Sequence, residues 1–214
     1  MTDTSEAYHE AGHAVALYLT GRGIRRVSIV QMDDAAGHVA RYSRGHQWLD
    51  ALEEADHESD YGTFINSSTR RSVEVEIMIS MAGGLTAMEA LGLEDDLSPS
   101  TALIPYTAEQ RAGLASRTGD VPDDLIHLCG DYEFASVLAE KVSGSLDEAN
   151  AYILWLEQRT RNLIRHPWFM PAAHALAQAL TERKTLSGRE VRSTIDAAIE
   201  SAFPVPKEWL GAPK

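Results

Sequence analysis

Near the start of the chain, the stretch AYHEAGHAVALYLTG sets His9, Glu10 and His13 in an H-E-x-x-H frame. In an α-helix, residues four apart share a face, so both imidazoles can point at one ion. Zinc takes neutral imidazole as a ligand at about 2.0–2.1 Å and, in catalytic sites, three protein ligands plus a water. Glu10 lies about 100° further round the helix, where it can reach such a water without binding the metal. Zinc would lower that water's pKa from about 15.7 towards 7, and Glu10 would accept the proton. Ala11 and Gly12 leave space for a second element to approach the helix closely.

Chance can supply this frame in a chain rich in histidine and glutamate, so its setting matters. Asp3 and Glu6 form a D-x-x-E pattern ahead of the frame and Gly21 follows it, which predicts a helix over residues 4–20. The extended H-E-x-x-H-x-x-G-x-x-H motif is absent, because Ala16 and Leu19 stand at its Gly and His positions. A third ligand must therefore come from elsewhere in the chain.

The rest of the sequence predicts a mainly α fold with a small N-terminal hairpin or sheet, of the α+β class. IRRVSIV and GHVARY read as short strands around the turn DDAAG. Residues 43–66 are polar and acidic, with a short helix expected around 48–57. A long helix is expected from Ser67 or Ser68 to Leu91, ended by Gly92. Residues 93–121 read as a long loop with one short helix. Helices follow at 122–142, 147–165, 168–183 and 187–200, separated by SGS, HP and TLSG. The expected organisation is one domain over 1–214: a metal-site half (1–142), C-terminal helices forming a bundle (147–200) and a tail (201–214).

A length of 214 residues is enough to bury a core, and 44% apolar with 24% charged residues is ordinary for a folded soluble chain. The net charge of −13, from 32 acids and 19 bases, argues against nucleic acid or an anionic membrane as a partner. The lone Cys129 precludes an internal disulfide, and a cytoplasmic location is expected. The most apolar run, residues 77–93, contains Glu89 and a Gly-Gly pair and reads as a buried helix, so no membrane span is expected. The remaining histidines fall at no ligand spacing, and Trp155 and Trp168 read as core or subunit contact.

YHEAGHAV, VSIVQM…AGHV and MAGGLTAMEALG resemble the peptidase domain of FtsH-type metalloproteases, and GDYEFASVLAEKV and LAQALTERKTLSGREV continue the resemblance in order. It implies a zincin-like helix, a Zn2+ cofactor and an aspartate ligand at the start of a later helix. That aspartate matches Asp131, with Glu133 and Ala135 agreeing downstream. Asp131 follows Gly130 in a helical segment, and a carboxylate suits zinc beside two imidazoles. Asp96, with Asp95, is the alternative third ligand. Asp123 and Asp124 read as helix N-terminal acids, and Glu74, Glu76 or Glu89 on the long helix from Ser67 could serve as a glutamate ligand instead.

Where the family has Gly-Gly-Arg-x-Ala-Glu, this chain has Leu85 and Met88 in place of the arginine and glutamate. No phosphate-loop motif occurs in the sequence. The expectation is a stand-alone peptidase domain acting on peptides or unfolded proteins, with a homo-oligomer and a separate ATPase as further partners the family suggests. The alternative is a peptidase-like binding or regulatory protein whose catalysis has lapsed.

Overall fold

The computed structural model describes residues 3–30, 37–41, 66–92, 131–132, 134–136 and 138–204. Helix α1 (Asp3–Leu19) carries the H-E-x-x-H frame and ends where expected. The Thr20 hydroxyl donates back to the Ala16 carbonyl at 2.7 Å, and Gly21 turns the chain at φ 72°. The expected cap at Asp3 lies outside the described side chains. Glu6, its expected partner, is turned inward and buried.

The hairpin forms as predicted from β1 (Ile24–Ser28) and β2 (His38–Arg41), antiparallel with Val27 opposite Val39. A third strand was not legible. Residues Thr185–Ser187 form β3, inside a segment that reads as a linker, and pair with the other edge of β1 so that Leu186 lies opposite Val27. The order is β2-β1-β3, which makes β1 central and, among the described residues, leaves the outer side of β2 without a paired strand.

Helix α2 (Ser67–Leu91) has its expected bounds. The Asn66 side chain accepts from the Thr69 amide at 2.9 Å, and Gly92 ends the helix in the left-handed region at φ 62°. A further helix, α3, covers the described residues of 131–141. It is followed by α4 (Leu146–Ile164), capped by Ser145, and α5 (Phe169–Arg183). Last comes α6 (Gly188–Ala202), whose Ser187–Glu190 capping box also ends β3. The helix and loop expected at 48–57 and 93–121, and the start of the helix expected at 122, lie outside the described residues.

Helix α1 packs against α2 and α5 and also meets β1 and β2 of the sheet. Small residues allow this. Ala7, Ala11 and Ala14 are fully buried, and a Cβ on Gly12 would lie 2.6 Å from both the Ala82 carbonyl and the Thr86 hydroxyl. The hairpin is tied to α2 by charge: Arg41 donates to buried Glu76, and Arg22 faces the same carboxylate at 3.8 Å. Trp155 and Trp168, expected in the core or a subunit contact, are about half exposed, so neither is a core residue of this chain. Trp155 stacks on Tyr152 beneath Arg159.

The Gly12 contact is with main chain, which cannot rotate aside. We expect Gly12→Ala to destabilise the fold by about 1–3 kcal/mol, read as a lower midpoint of urea unfolding with the slope unchanged.

Candidate metal centre

Helical geometry explains why chemistry collects on α1. Glu6, His9, Glu10 and His13 fall at i, i+3, i+4 and i+7, the stripe that ordinarily carries apolar side chains into a core. All four are buried, at 4–8% exposure. The stripe faces α2 and the start of α3, so the core at this point is built from ionisable groups.

Three ligand atoms converge there. The Nε2 atoms of His9 and His13 are 3.0 Å apart, and each is 3.0 Å from the Asp131 Oδ2. A tetrahedral zinc shell with ligands at about 2.0–2.1 Å has edges of about 3.3 Å, so the triangle is only slightly tighter than one. Two imidazole nitrogens and a carboxylate oxygen repel one another unless a proton or cation lies among them. A single cation satisfies all three, whereas one proton serves chiefly one edge.

The orientation of His13 is set from outside the triangle. Its Nδ1 donates to the Ile79 carbonyl of α2 at 2.8 Å, which leaves Nε2 for the triangle. Gly83, one turn further along α2, makes room for the ring: a Cβ there would overlap Nε2 and lie 2.6 Å from Cε1. The Gly-Gly pair in α2 thus has a packing reason, as its sequence cost suggests.

Electrostatics of the metal-free arrangement follow from burial and the carboxylate. Burial lowers the His9 pKa, opposed by its hydrogen bond to Asp131. Burial would lower His13 too, but the Asp131 charge and hydrogen bond overcome it and raise the group to about 9. Burial would raise Asp131, yet the two histidines hold it well below the usual carboxylate range. Glu10 is pushed up to about 8, chiefly by burial. Among the described residues its buried Oε2 has no hydrogen-bond partner, an orphaned acceptor beside the triangle where a water would be satisfied.

The structure therefore brings His9, Glu10, His13 and Asp131 together. Asp96, with Asp95, Asp123, Asp124, His127 and Cys129, lies outside the described residues. Among the described residues, no other group of three ligand-type side chains converges this closely. Glu74 accepts from the Tyr152 hydroxyl at 2.6 Å, Glu76 faces two arginines, and Glu89 is exposed, so none joins the site. His38 pairs with Arg26, His174 with Tyr8, and His166 packs on Trp168, all apart from the triangle. Sequence reasoning missed the Ile79 carbonyl, the inward turn of Glu6, and Gly37, whose main chain lies over Glu6 and Glu10. The i, i+3, i+4, i+7 stripe could have revealed Glu6.

The chain aligns with the ATP-dependent zinc metalloprotease FtsH of Acidimicrobium ferrooxidans, at 25% identity over 203 residues. The chain is distantly similar to FtsH. The alignment covers 90% of this chain but only 28% of that relative, so the chain spans little more than a quarter of its length. No protein-family profile matches the chain. Among the described residues, no helix is long and apolar enough to cross a membrane.

Two outcomes test the triangle as a metal site. Below about pH 9, zinc must displace the His13 proton, so apparent affinity should climb about tenfold per pH unit and level off above it. Chelator competition between pH 6 and 9 reads this slope, and a flat profile would count against the assignment. Gly83→Ala should weaken zinc binding by about 10–100-fold, through displacement of the His13 ring alone.

Proposed function

We propose that this protein is a zinc-dependent peptidase that hydrolyses peptide bonds of unfolded or flexible polypeptides with an activated water. The observation that carries this reading is the triangle of His9, His13 and Asp131 with the orphaned Glu10 oxygen beside it. The similarity to FtsH supports it at the level of reaction class.

In this reading His9 and His13 present Nε2, and Asp131 presents Oδ2, to the zinc. Zinc in that position supplies a Lewis acid that polarises a carbonyl and makes water acidic near neutral pH. Glu10 Oε2 holds the water by hydrogen bond and takes its proton as attack begins. The same carboxyl group then delivers a proton to the departing amine, so Glu10 ends the cycle ionised. Its raised pKa suits a group that both accepts and returns a proton near neutrality. Asp131, kept ionised by the two histidines, offsets metal charge.

An extended substrate can add to the outer edge of β2, which no described strand occupies and whose approach begins at Gly37 over Glu10. Main-chain pairing of this kind tolerates many sequences and excludes folded ones.

The decisive experiment pairs metal analysis with cleavage of an unfolded protein. The wild type should hold about one zinc per chain and cleave. Glu10→Gln should keep the zinc while kcat falls at least about 100-fold. Zinc binding with no Glu10-dependent cleavage would replace this reading with that of a non-hydrolytic metal-binding protein.

A further inference from the structure

Three members of the buried α1 stripe belong to the site above, and the fourth, Glu6, has no task there. It is 6% exposed, and its Oε2 has no hydrogen-bond partner among the described residues. Among the described residues, no arginine, lysine or histidine forms an ion pair with it. It lies one helical turn from Glu10, and both carboxylates abut the same point of main chain. A Cβ on Gly37 would overlap Glu6 Oε1 and come within 2.9 Å of Glu10 Oε1.

A buried carboxylate oxygen left without a partner is costly, and such groups persist where a ligand supplies the missing donor. Glu6 lacks the companions for a second metal, since no further group of three ligand-type side chains converges among the described residues. A primary ammonium asks less, because it is compact and brings three N–H donors of its own. One helical turn is about 5.4 Å and an extended residue advances about 3.3 Å, so a group held at Glu6 sits one or two residues from the bond facing Glu10.

We propose that Glu6 receives a primary ammonium group of the substrate, one or two residues from the bond that is cleaved. This inference rests on the peptidase reading. It narrows the substrate class to peptides with a free amino terminus or a lysine near the scissile bond. Glu6 is then a specificity residue, distinct in role from Glu10.

Binding tests this without relying on turnover. The probes are four peptides of one sequence, labelled at the C-terminus, with the amino terminus free or acetylated and one residue either lysine or norleucine. Fluorescence anisotropy with the zinc-loaded full chain carrying Glu10→Gln should show an ammonium-bearing peptide binding at least about tenfold tighter than the doubly neutral one. The two singly charged peptides identify which amine is read. Adding Glu6→Gln should abolish the preference, and Glu6→Asp should retain part of it, with zinc content unchanged in both. Equal binding of the neutral peptide, a preference that survives Glu6→Gln, loss of zinc in that variant, or no peptide binding would each overturn the proposal. Ammonium-selective binding with no cleavage by the wild type would instead leave the recognition standing and remove the catalytic reading.

Discussion

The close crossing of α1 and α2 is the contact on which the rest of the molecule depends. Gly12 on one helix lies against the Ala82 carbonyl, and Gly83 on the other lies against the His13 ring, so each helix clears space for its neighbour. A glycine inside a helix costs about 1 kcal/mol relative to alanine. Here that cost is offset by packing, and by placing the Ile79 carbonyl where it orients His13. A wider crossing would part the imidazole from its acceptor and leave buried polar groups unpaired.

That crossing also creates an electrostatic problem. Four ionisable side chains on one stripe of α1 lose their water, and buried groups of this kind need hydrogen-bond partners or a counter-charge. Asp131 answers part of it, holding His13 cationic when no metal is present and staying ionised itself. A divalent cation at the triangle would answer more, because it meets all three converging ligand atoms. Among the described residues, Glu6 and Glu10 each keep one oxygen without a hydrogen-bond partner, and the proposed reading brings substrate and water to those two oxygens.

The sheet serves the site from one side. Because β3 pairs with the far edge of β1, the outer edge of β2 is the side of the hairpin that no other described strand occupies. Arg41 at the end of β2 is anchored to Glu76 of α2, the helix whose Ile79 carbonyl orients His13. Gly188, where a Cβ would collide with the Ile24 carbonyl, lets the β3–α6 junction close tightly on β1. The hairpin, His9, His13 and Glu10 are thereby held by one packed unit.

Much of this was legible in the residues themselves. The H-E-x-x-H spacing, Gly21 and Gly92 as helix ends and the β-branched hairpin are local signals, decided within a few residues by helix and turn geometry. The strand at Thr185–Ser187 was not, because three residues carry too little periodicity and its partner lies far upstream. Nor could spacing alone choose Asp131 among the acids, since its oxygen meets the histidines across more than a hundred residues of chain. Glu6 reads locally as a capping carboxylate, yet the packing of α1 turns it inward. The sequence by itself determined which side chains could share one helical face. Tertiary packing decided which distant carboxylate completes that face and which acid is left unpaired, because burial and long-range contact are properties of the assembled core.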